Sequence, residues 1–223
     1  MQLSIKNLTF GWNKTPLFQD VQCSLNKADV VQLVGENGAG KTTLLKLISG
    51  MIPHFERGQM LRGNIFIRNK SVFENAPKSF FPLIAFVPGK NIDFFLVTEN
   101  LKDEILFTSS VLKLNQQKID ARLNDFFNIF PGFKNNLNLP FAHMDFSQKV
   151  LSLTFIYRLQ NATLFLFDEV MNRFSISELH QWQDFLASLK HANKSVIYID
   201  HQTTDKGYCQ WSLSNGKLVT YYD

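Results

Sequence analysis

The stretch GENGAGKT, from Gly35 to Thr42, matches the phosphate-loop pattern GxxxxGK[ST] at every fixed position. Glycines let a backbone wrap around phosphate groups, so that successive N–H groups and the N-terminus of the following helix face the anion. Lys41 is expected to reach the β- and γ-phosphates of a nucleotide, and Thr42 to offer its hydroxyl to Mg²⁺. The residues that we predict to contact the nucleotide here are Gly35, Asn37, Gly38, Ala39, Gly40, Lys41, Thr42 and Thr43.

The segments around this loop predict alternating strands and helices. Val30–Val34 has the apolar run of a buried strand, and the positions from Lys41 to Ile48 have the spacing of an amphipathic helix. Residues from about 98 to 160 lose the strand pattern and favour helices. Further predicted elements are strands at 63–67, 83–87, 163–167 and 195–199, a helix at 176–189, and a closing hairpin around Asn215-Gly216. We therefore expect an α/β fold with a mostly parallel core sheet.

A second motif, LFLFDE from Leu164 to Glu169, has the form of a Walker B strand. A buried strand of this kind delivers Asp168 to the Mg²⁺ shell and leaves Glu169 beside the γ-phosphate, where a base or water-orienting group is needed. His201 follows the next apolar strand and is expected to contact the γ-phosphate from the other side. The sequence thus predicts Thr42 and Asp168 as metal ligands, and Lys41, Glu169 and His201 as catalytic residues.

With these motifs in place, the chain resembles an ATPase of the ABC transporter family from end to end. Leu8–Trp12 is similar to the adenine-stacking segment of the family, with Trp12 at the aromatic position; the alternative is a packed surface aromatic. The segments Ile48–Gly58 and Asn100–Phe107 resemble those of energy-coupling factor importers. The resemblance implies one ABC-type P-loop domain over residues 1–223. It has an N-terminal antiparallel β subdomain and a helical subdomain inserted at about residues 90–160.

The chain departs from the family at the signature motif, LSGGQ. Gln148, twenty residues before Asp168, fits the final glutamine, which places MDFSQ at the motif. Asp145 puts a negative charge where a donor should face the γ-phosphate on the opposite subunit, and Phe146 replaces a glycine where the backbones should approach. Such repulsion is about 1 kcal/mol per charge pair at 4 Å in water and about 4 kcal/mol at an effective dielectric constant of 20. The half-site that this motif completes should therefore be poor.

Two other positions also differ from the family. The Q-loop glutamine aligns with Gly89, although the Pro88-Gly89 pair could instead mark a shifted loop. In the D-loop, Val170 stands where a proline is usual, and Ser175 where an aspartate is usual. The Walker residues are intact while the signature is degenerate, which favours a heterodimer with a second ABC ATPase.

The function that this implies is a transporter subunit that binds and hydrolyses MgATP to drive membrane permease subunits, with low activity when isolated. The alternative is an ATP-dependent clamp or regulatory module with little hydrolysis. A P-loop kinase or GTPase has less support, since no NKxD-type guanine motif is present.

The bulk composition limits the other classes of function. The net charge is +4, but no run of Lys or Arg is dense enough to argue for nucleic acid. The two cysteines, Cys23 and Cys209, lie far apart and predict neither a disulfide framework nor a zinc site. The N-terminus lacks the apolar segment of a signal peptide, and no stretch reaches the roughly 18 apolar residues of a membrane span. A membrane role would have to come through a partner, and the resemblance to ABC ATPases implies a peripheral protein at the cytoplasmic face of the membrane.

Overall fold

The computed structural model describes residues 1–56, 58, 60–200 and 208–221. The strands are β1 (Leu3–Gly11), β2 (Phe18–Leu25), β3 (Val30–Val34), β4 (Met60–Ile67), β5 (Lys70–Ser71), β6 (Ile84–Val87), β7 (Leu164–Asp168), β8 (Ser195–Ile199), β9 (Cys209–Ser214) and β10 (Lys217–Tyr221). The helices are α1 (Lys41–Ser49), α2 (Met51–His54), α3 (Leu101–Leu112), α4 (Gln116–Ile129), α5 (Phe146–Leu159) and α6 (Ile176–His191).

The core sheet of the described residues has six strands in the order β10-β9-β3-β8-β7-β6. Its neighbouring strands are parallel, except for the closing hairpin of β9 and β10. The strands β3, β6, β7 and β8 carry the apolar runs that the sequence predicted, and the positions of β7 and β8 are buried throughout. Because parallel strands end at the same edge, the loop after β3 and the residues after β7 and β8 meet there. The predicted α/β class is confirmed.

A second sheet is antiparallel and has the order β2-β1-β4-β5. The β1 strand pairs with β2 on one side and with β4 on the other. One face of this sheet packs with α1 and with one face of the core sheet in a single apolar cluster, to which Phe10, Phe18, Leu44 and Trp211 belong. The phosphate loop therefore starts where the two sheets pack together.

The chain between β6 and β7 contains α3, α4 and α5, which share a second apolar cluster with the opposite face of the core sheet. Aromatic rings join these parts: Phe126 of α4 contacts Phe155 of α5 at 5.2 Å and Phe185 of α6 at 6.1 Å between ring centroids. Residues 131–145 are 3₁₀ turns and extended segments instead of helix. The interruptions begin at Pro131 and follow Pro140, since a proline lacks the N–H that continues a helix.

No helix within the described ranges has the length and the apolar character that a membrane crossing requires.

Candidate functional site

The loop between β3 and α1 has a shape that requires glycine at two places. Gly40 ends the loop in a left-handed conformation with φ 99°, and a Cβ there would lie 2.9 Å from ring atoms of Phe18. A Cβ at Gly35 would overlap the carbonyl oxygen of Leu213. The loop therefore lies directly against β9 and the antiparallel sheet, and its path depends on the glycines that the motif supplies.

Lys41 is the first residue of α1, and its side chain turns back across the loop. Its Nζ donates hydrogen bonds to the carbonyl oxygens of Gly35 at 2.8 Å and Glu36 at 3.0 Å. The residue is 7% exposed, so a positive charge is held inside the loop. An ammonium group has three donors, and these bonds use two of them. The arrangement suits a cation that completes an anion site formed by backbone N–H groups.

Thr42 and Asp168 come together although they are 126 residues apart in the sequence: the Thr42 hydroxyl donates to Asp168 Oδ1 at 2.8 Å. Burial raises the pKa of Asp168, and the negative charge of Glu169 raises it further; the Thr42 hydrogen bond and the charges of Lys46 and Lys41 act in the opposite direction. Because burial disfavours the charged form of this carboxylate, a nearby cation would stabilise the carboxylate.

This pair fits Mg²⁺ in its donor chemistry. Magnesium prefers oxygen ligands and is usually held by one or two carboxylates together with phosphates and water. Among the described residues, no group of three or more His, Cys, Asp or Glu side chains could hold a metal ion by itself. One carboxylate and one hydroxyl suit a metal whose other ligands are phosphate oxygens and water.

Glu169 follows Asp168 in a left-handed conformation with φ 55°, and its N–H donates to the carbonyl of Ile199 at 3.1 Å. The predicted γ-phosphate contact of Glu169 stays a prediction. His201 lies outside the described residues; its described neighbour Asp200 is buried directly after β8.

Gly89 lies after β6, where the loop touches the end of β7. A Cβ at Gly89 would overlap the carbonyl oxygen of Asp168 and would lie 3.5 Å from the Cβ of Glu169. A glutamine could not occupy this position without a shift of the backbone. The position that aligns with the family's glutamine thus contacts the Walker B turn through its backbone.

Trp12 lies just beyond β1 and is 39% exposed. Its ring meets that of the buried Phe10 edge to face, with centroids 5.1 Å apart and an interplanar angle of 85°. Phe10 therefore supports the indole without covering it completely. This exposure is compatible with adenine stacking, which stays a prediction.

The segment that aligns with the signature motif forms the start of α5. Asp145 is the N-cap: its Oδ1 accepts a hydrogen bond from the backbone N–H of Gln148 at 2.8 Å, and its own N–H donates to Gln148 Oε1 at 3.0 Å. This reciprocal pair is a capping box, which satisfies backbone donors at a helix N-terminus. A carboxylate of the chain therefore occupies the place where an external anion would be bound.

A second carboxylate approaches the same helix end from α6. Ser147 Oγ lies 2.9 Å from Asp145 Oδ1 and 2.7 Å from Glu178 Oε1, and its single proton can serve one carboxylate at a time. Glu178 also accepts from the Ser175 hydroxyl at 2.7 Å. Burial raises the pKa of Glu178, but the hydrogen bonds from Ser147 and Ser175 lower it, and the net pKa is below the ordinary value of a glutamate. The lowered pKa of Glu178 favours its charged form at neutral pH.

Our sequence interpretation missed Glu178, although a signal for it exists. Ser175 and Glu178 have the S-x-x-E spacing of a capping box, and they form one at the start of α6. The sequence also gave no sign that Arg173 lies over the ring of Phe146, with its guanidinium carbon 4.6 Å from the ring centroid. The bulky residue in the signature segment is therefore held by the D-loop segment.

The comparisons with known proteins agree with this geometry. The ABC transporter family matches residues 18–216. The chain is 26% identical to the energy-coupling factor transporter ATP-binding protein EcfA of Aster yellows witches'-broom phytoplasma (strain AYWB), over 98% of the chain and 78% of that protein. It is 24% identical to a putative ABC transporter ATP-binding protein of Clostridium perfringens (strain 13 / Type A), over 97% of the chain but 38% of that longer protein.

Among solved structures, the chain is similar to an ATP-binding subunit of an ABC transporter. The TM-score is 0.82 at 21% identity, and the match covers 99% of this chain and 90% of the other. This similarity supports the fold, while the match to EcfA confirms the resemblance to energy-coupling factor ATPases. The phosphate loop, the Walker B strand and the match over residues 18–216 lead to one conclusion: the chain belongs to the ABC transporter family.

Proposed function

We propose that the chain is a transporter ATPase subunit that binds and hydrolyses MgATP as one half of an asymmetric heterodimer. The observation that carries this proposal is the contrast between a complete Walker site and a signature segment closed by its own carboxylate. Lys41 and the Thr42–Asp168 pair form the Walker site, and the carboxylate of Asp145 caps the helix at the signature segment. Residues 1–223 act as a single ABC ATPase domain, with the helical subdomain at about residues 90–160.

The roles of the Walker residues follow from their chemistry. The phosphate loop and Lys41 bind the phosphates, Thr42 and Asp168 hold Mg²⁺, and Trp12 stacks on adenine. When bound, Mg²⁺ supplies positive charge that offsets the charge of the phosphates. Glu169 and His201 orient the attacking water and contact the γ-phosphate. The assignments of His201 and Glu169 rest on sequence position. The hydrogen bonds of Lys41, Thr42 and Asp168 and the exposure of Trp12 support the other assignments.

The electrostatics at the start of α5 support the proposal of a heterodimer. Asp145 and Glu178 place two negative charges next to Ser147, on the segment that should face a partner's γ-phosphate. Each charge pair at 4 Å would cost about 1 kcal/mol in water and about 4 kcal/mol at an effective dielectric constant of 20. In a homodimer both ATP molecules would meet this repulsion. A partner with an intact signature would relieve it at the site formed by this chain's Walker residues.

Membrane permease subunits are the second partner that we propose. One side of α3 is packed in the core through Leu101 and Ile105, while Leu106, Phe107 and Val111 are 57%, 48% and 65% exposed. These three residues, which we call the α3 patch, are apolar on a helix between β6 and β7. We propose that the permease covers the α3 patch and keeps the chain at the cytoplasmic face of the membrane.

The test is purification of the tagged chain from gently solubilised membranes, followed by identification of the co-purifying chains. We expect a multi-span permease and a second ABC ATPase. Replacing the α3 patch with serine should remove the permease and leave ATP binding intact. Recovery of soluble proteins alone, with no permease or second ATPase, would contradict the proposal.

A specific observation favours the alternative of an ATP-dependent clamp with little hydrolysis. Gly89 leaves no room for the Q-loop glutamine beside Asp168, and this glutamine normally contacts Mg²⁺ and the attacking water. If the clamp were correct, ATP would close the dimer but turnover would stay low even with the partner bound.

A further inference from the structure

A polar pocket of about 340 Å³ lies at the N-terminal edge of the core sheet. The segments that precede β3, β6, β7 and β8 form it, together with the turn between β4 and β5. The phosphate loop follows the C-terminal end of β3, so the pocket and the nucleotide site lie at opposite edges of one sheet. The residues used below are Lys27, Arg68, Asn161, Thr163, Asn193 and Lys194, and we call the cavity the basic pocket.

The charge of the basic pocket has one sign. Lys27, Arg68 and Lys194 line it, and none of the described residues that line it is acidic. These three side chains form no ion pair with any described residue. Burial lowers the pKa of Lys194, and the positive charges of Arg68, Arg122 and Arg158 lower it further. The cations therefore repel one another across a cavity that could hold an anion.

Neutral hydrogen bonds hold two of these cations in place. Lys194 Nζ donates to Asn161 Oδ1 at 2.6 Å. Arg68 Nε donates to Gln2 Oε1 at 3.3 Å, and the buried Gln2 donates in turn to Thr163 Oγ1 at 2.9 Å. These bonds fix the position of each charged group without neutralising it. Preorganised cations of this kind bind an anion with less loss of side-chain entropy.

We propose that the basic pocket binds a multivalent oxyanion of the phosphate type, separately from the ATP that binds at the phosphate loop. Three positive charges match a di- or trivalent anion, and a guanidinium can bind two oxygens of a phosphate side by side. The amides of Asn161 and Asn193 supply neutral donors at the rim. The volume suits an ion with several oxygens or a small phosphorylated molecule better than a halide.

The experiment uses Lys41→Ala as the background, because the phosphate loop would itself bind phosphate. Pyrophosphate is added to ¹⁵N-labelled protein at constant ionic strength, and amide shifts are followed by NMR. Saturable shifts are expected at Asn161, Asn193 and Lys194. Calorimetry of the same titration gives the affinity.

Arg68→Gln with Lys194→Gln should weaken pyrophosphate binding at least tenfold. The matched control, Lys134→Gln with Lys217→Gln, removes the same charge from exposed positions outside the pocket and should change the affinity less than twofold. Lys194→Arg keeps the charge and should retain binding within about threefold of the background.

Three results would overturn the proposal. One is the absence of saturable shifts at the pocket amides in the Lys41→Ala background. This measurement uses no substitution in the pocket, so it does not depend on the folding of a pocket variant. Another is equal loss of affinity in the pocket variant and its control, as a general surface charge would give. The third is shifts confined to Gly38, Gly40 and Thr42, which would place all binding at the phosphate loop. Each of them leaves the ATPase proposal unaffected.

Discussion

The N-terminus of α1 and the N-terminus of α5 are the same structural feature with opposite chemistry. At α1 the N-cap is Gly40, and among the described residues no side chain caps it and no acid lies in its first turn. At α5 the N-cap is Asp145, whose carboxylate accepts from the helix N–H of Gln148. A helix N-terminus attracts anions through its N–H groups and its dipole. The N-terminus of α1 can thus bind an external anion, while the N-terminus of α5 already binds the carboxylate of Asp145.

The largest effect should come from removing the cation at the open end. Lys41→Ala should weaken MgATP binding by about ten- to a hundredfold, since hydrogen bonds to charged groups contribute about 1.5–3 kcal/mol. Isothermal calorimetry measures this, with the exposed Lys217→Ala as the control. Equal affinity of Lys41→Ala and wild type would remove the distinction between the two helix ends.

The next largest effect should come from removing the indole of Trp12. Trp12→Ala should weaken ATP binding by about 1–3 kcal/mol, the scale of base stacking on an aromatic side chain. Trp12→Phe should recover part of the loss, because a smaller ring still stacks. The Trp12 fluorescence should also respond to ATP, whereas a mutant that binds as tightly as wild type would make Trp12 a surface aromatic.

Removing the carboxylate of Asp145 from the N-terminus of α5 should have a smaller effect. In the heterodimer, Asp145→Ser with Phe146→Gly and Ser147→Gly should raise turnover at the partner's site about fivefold, provided that the partner's Walker residues are intact. The estimate corresponds to relief of about 1 kcal/mol of repulsion. Phe146→Gly alone is the matched control, because it keeps Asp145 and its charge. Equal gains in the two variants would mean that Asp145 does not set the deficit.

The smallest effect concerns stability. Asp168→Asn should raise the melting temperature of the protein without nucleotide, by about 2–4 °C for each kcal/mol gained. Burial raises the pKa of Asp168, so the folded state binds its proton more tightly than the unfolded state does.

The pH dependence has a definite sign. The penalty of the ionised carboxylate is complete above the raised folded pKa, and it disappears as the pH falls towards the unfolded value of about 3.9. The gain in the asparagine variant should therefore shrink on acidification. Differential scanning calorimetry at several pH values measures it; a gain that grows on acidification would contradict this account.

The local elements were predictable from sequence, while contacts between distant segments were not. The strand Ser195–Ile199 is an apolar run bounded by polar residues, and burial of both faces makes such a run recognisable. The contact of Gly89 with Asp168 joins segments about 80 residues apart, and no pattern within either segment indicates it. The same holds for Ser147 and Glu178.

The two helix ends differ in the same respect. The glycine-rich loop has a fixed motif because its function needs one backbone shape, so sequence alone identified it. The start of α5 was recognised through the glycines that it lacks, while the capping-box spacing of Asp145 and Gln148 is a sequence signal that our interpretation missed. The basic pocket is assembled from turns that are far apart in sequence, so its charges do not form a run.

The most direct test of the asymmetry is ATP turnover of the isolated chain and of its complex with the partner ATPase, each as wild type and with Glu169→Gln. The account predicts slow hydrolysis by the isolated chain, restored turnover in the complex, and loss of most of that turnover in the Glu169→Gln complex. Fast hydrolysis by the isolated chain, or a fully active Glu169→Gln complex, would contradict it.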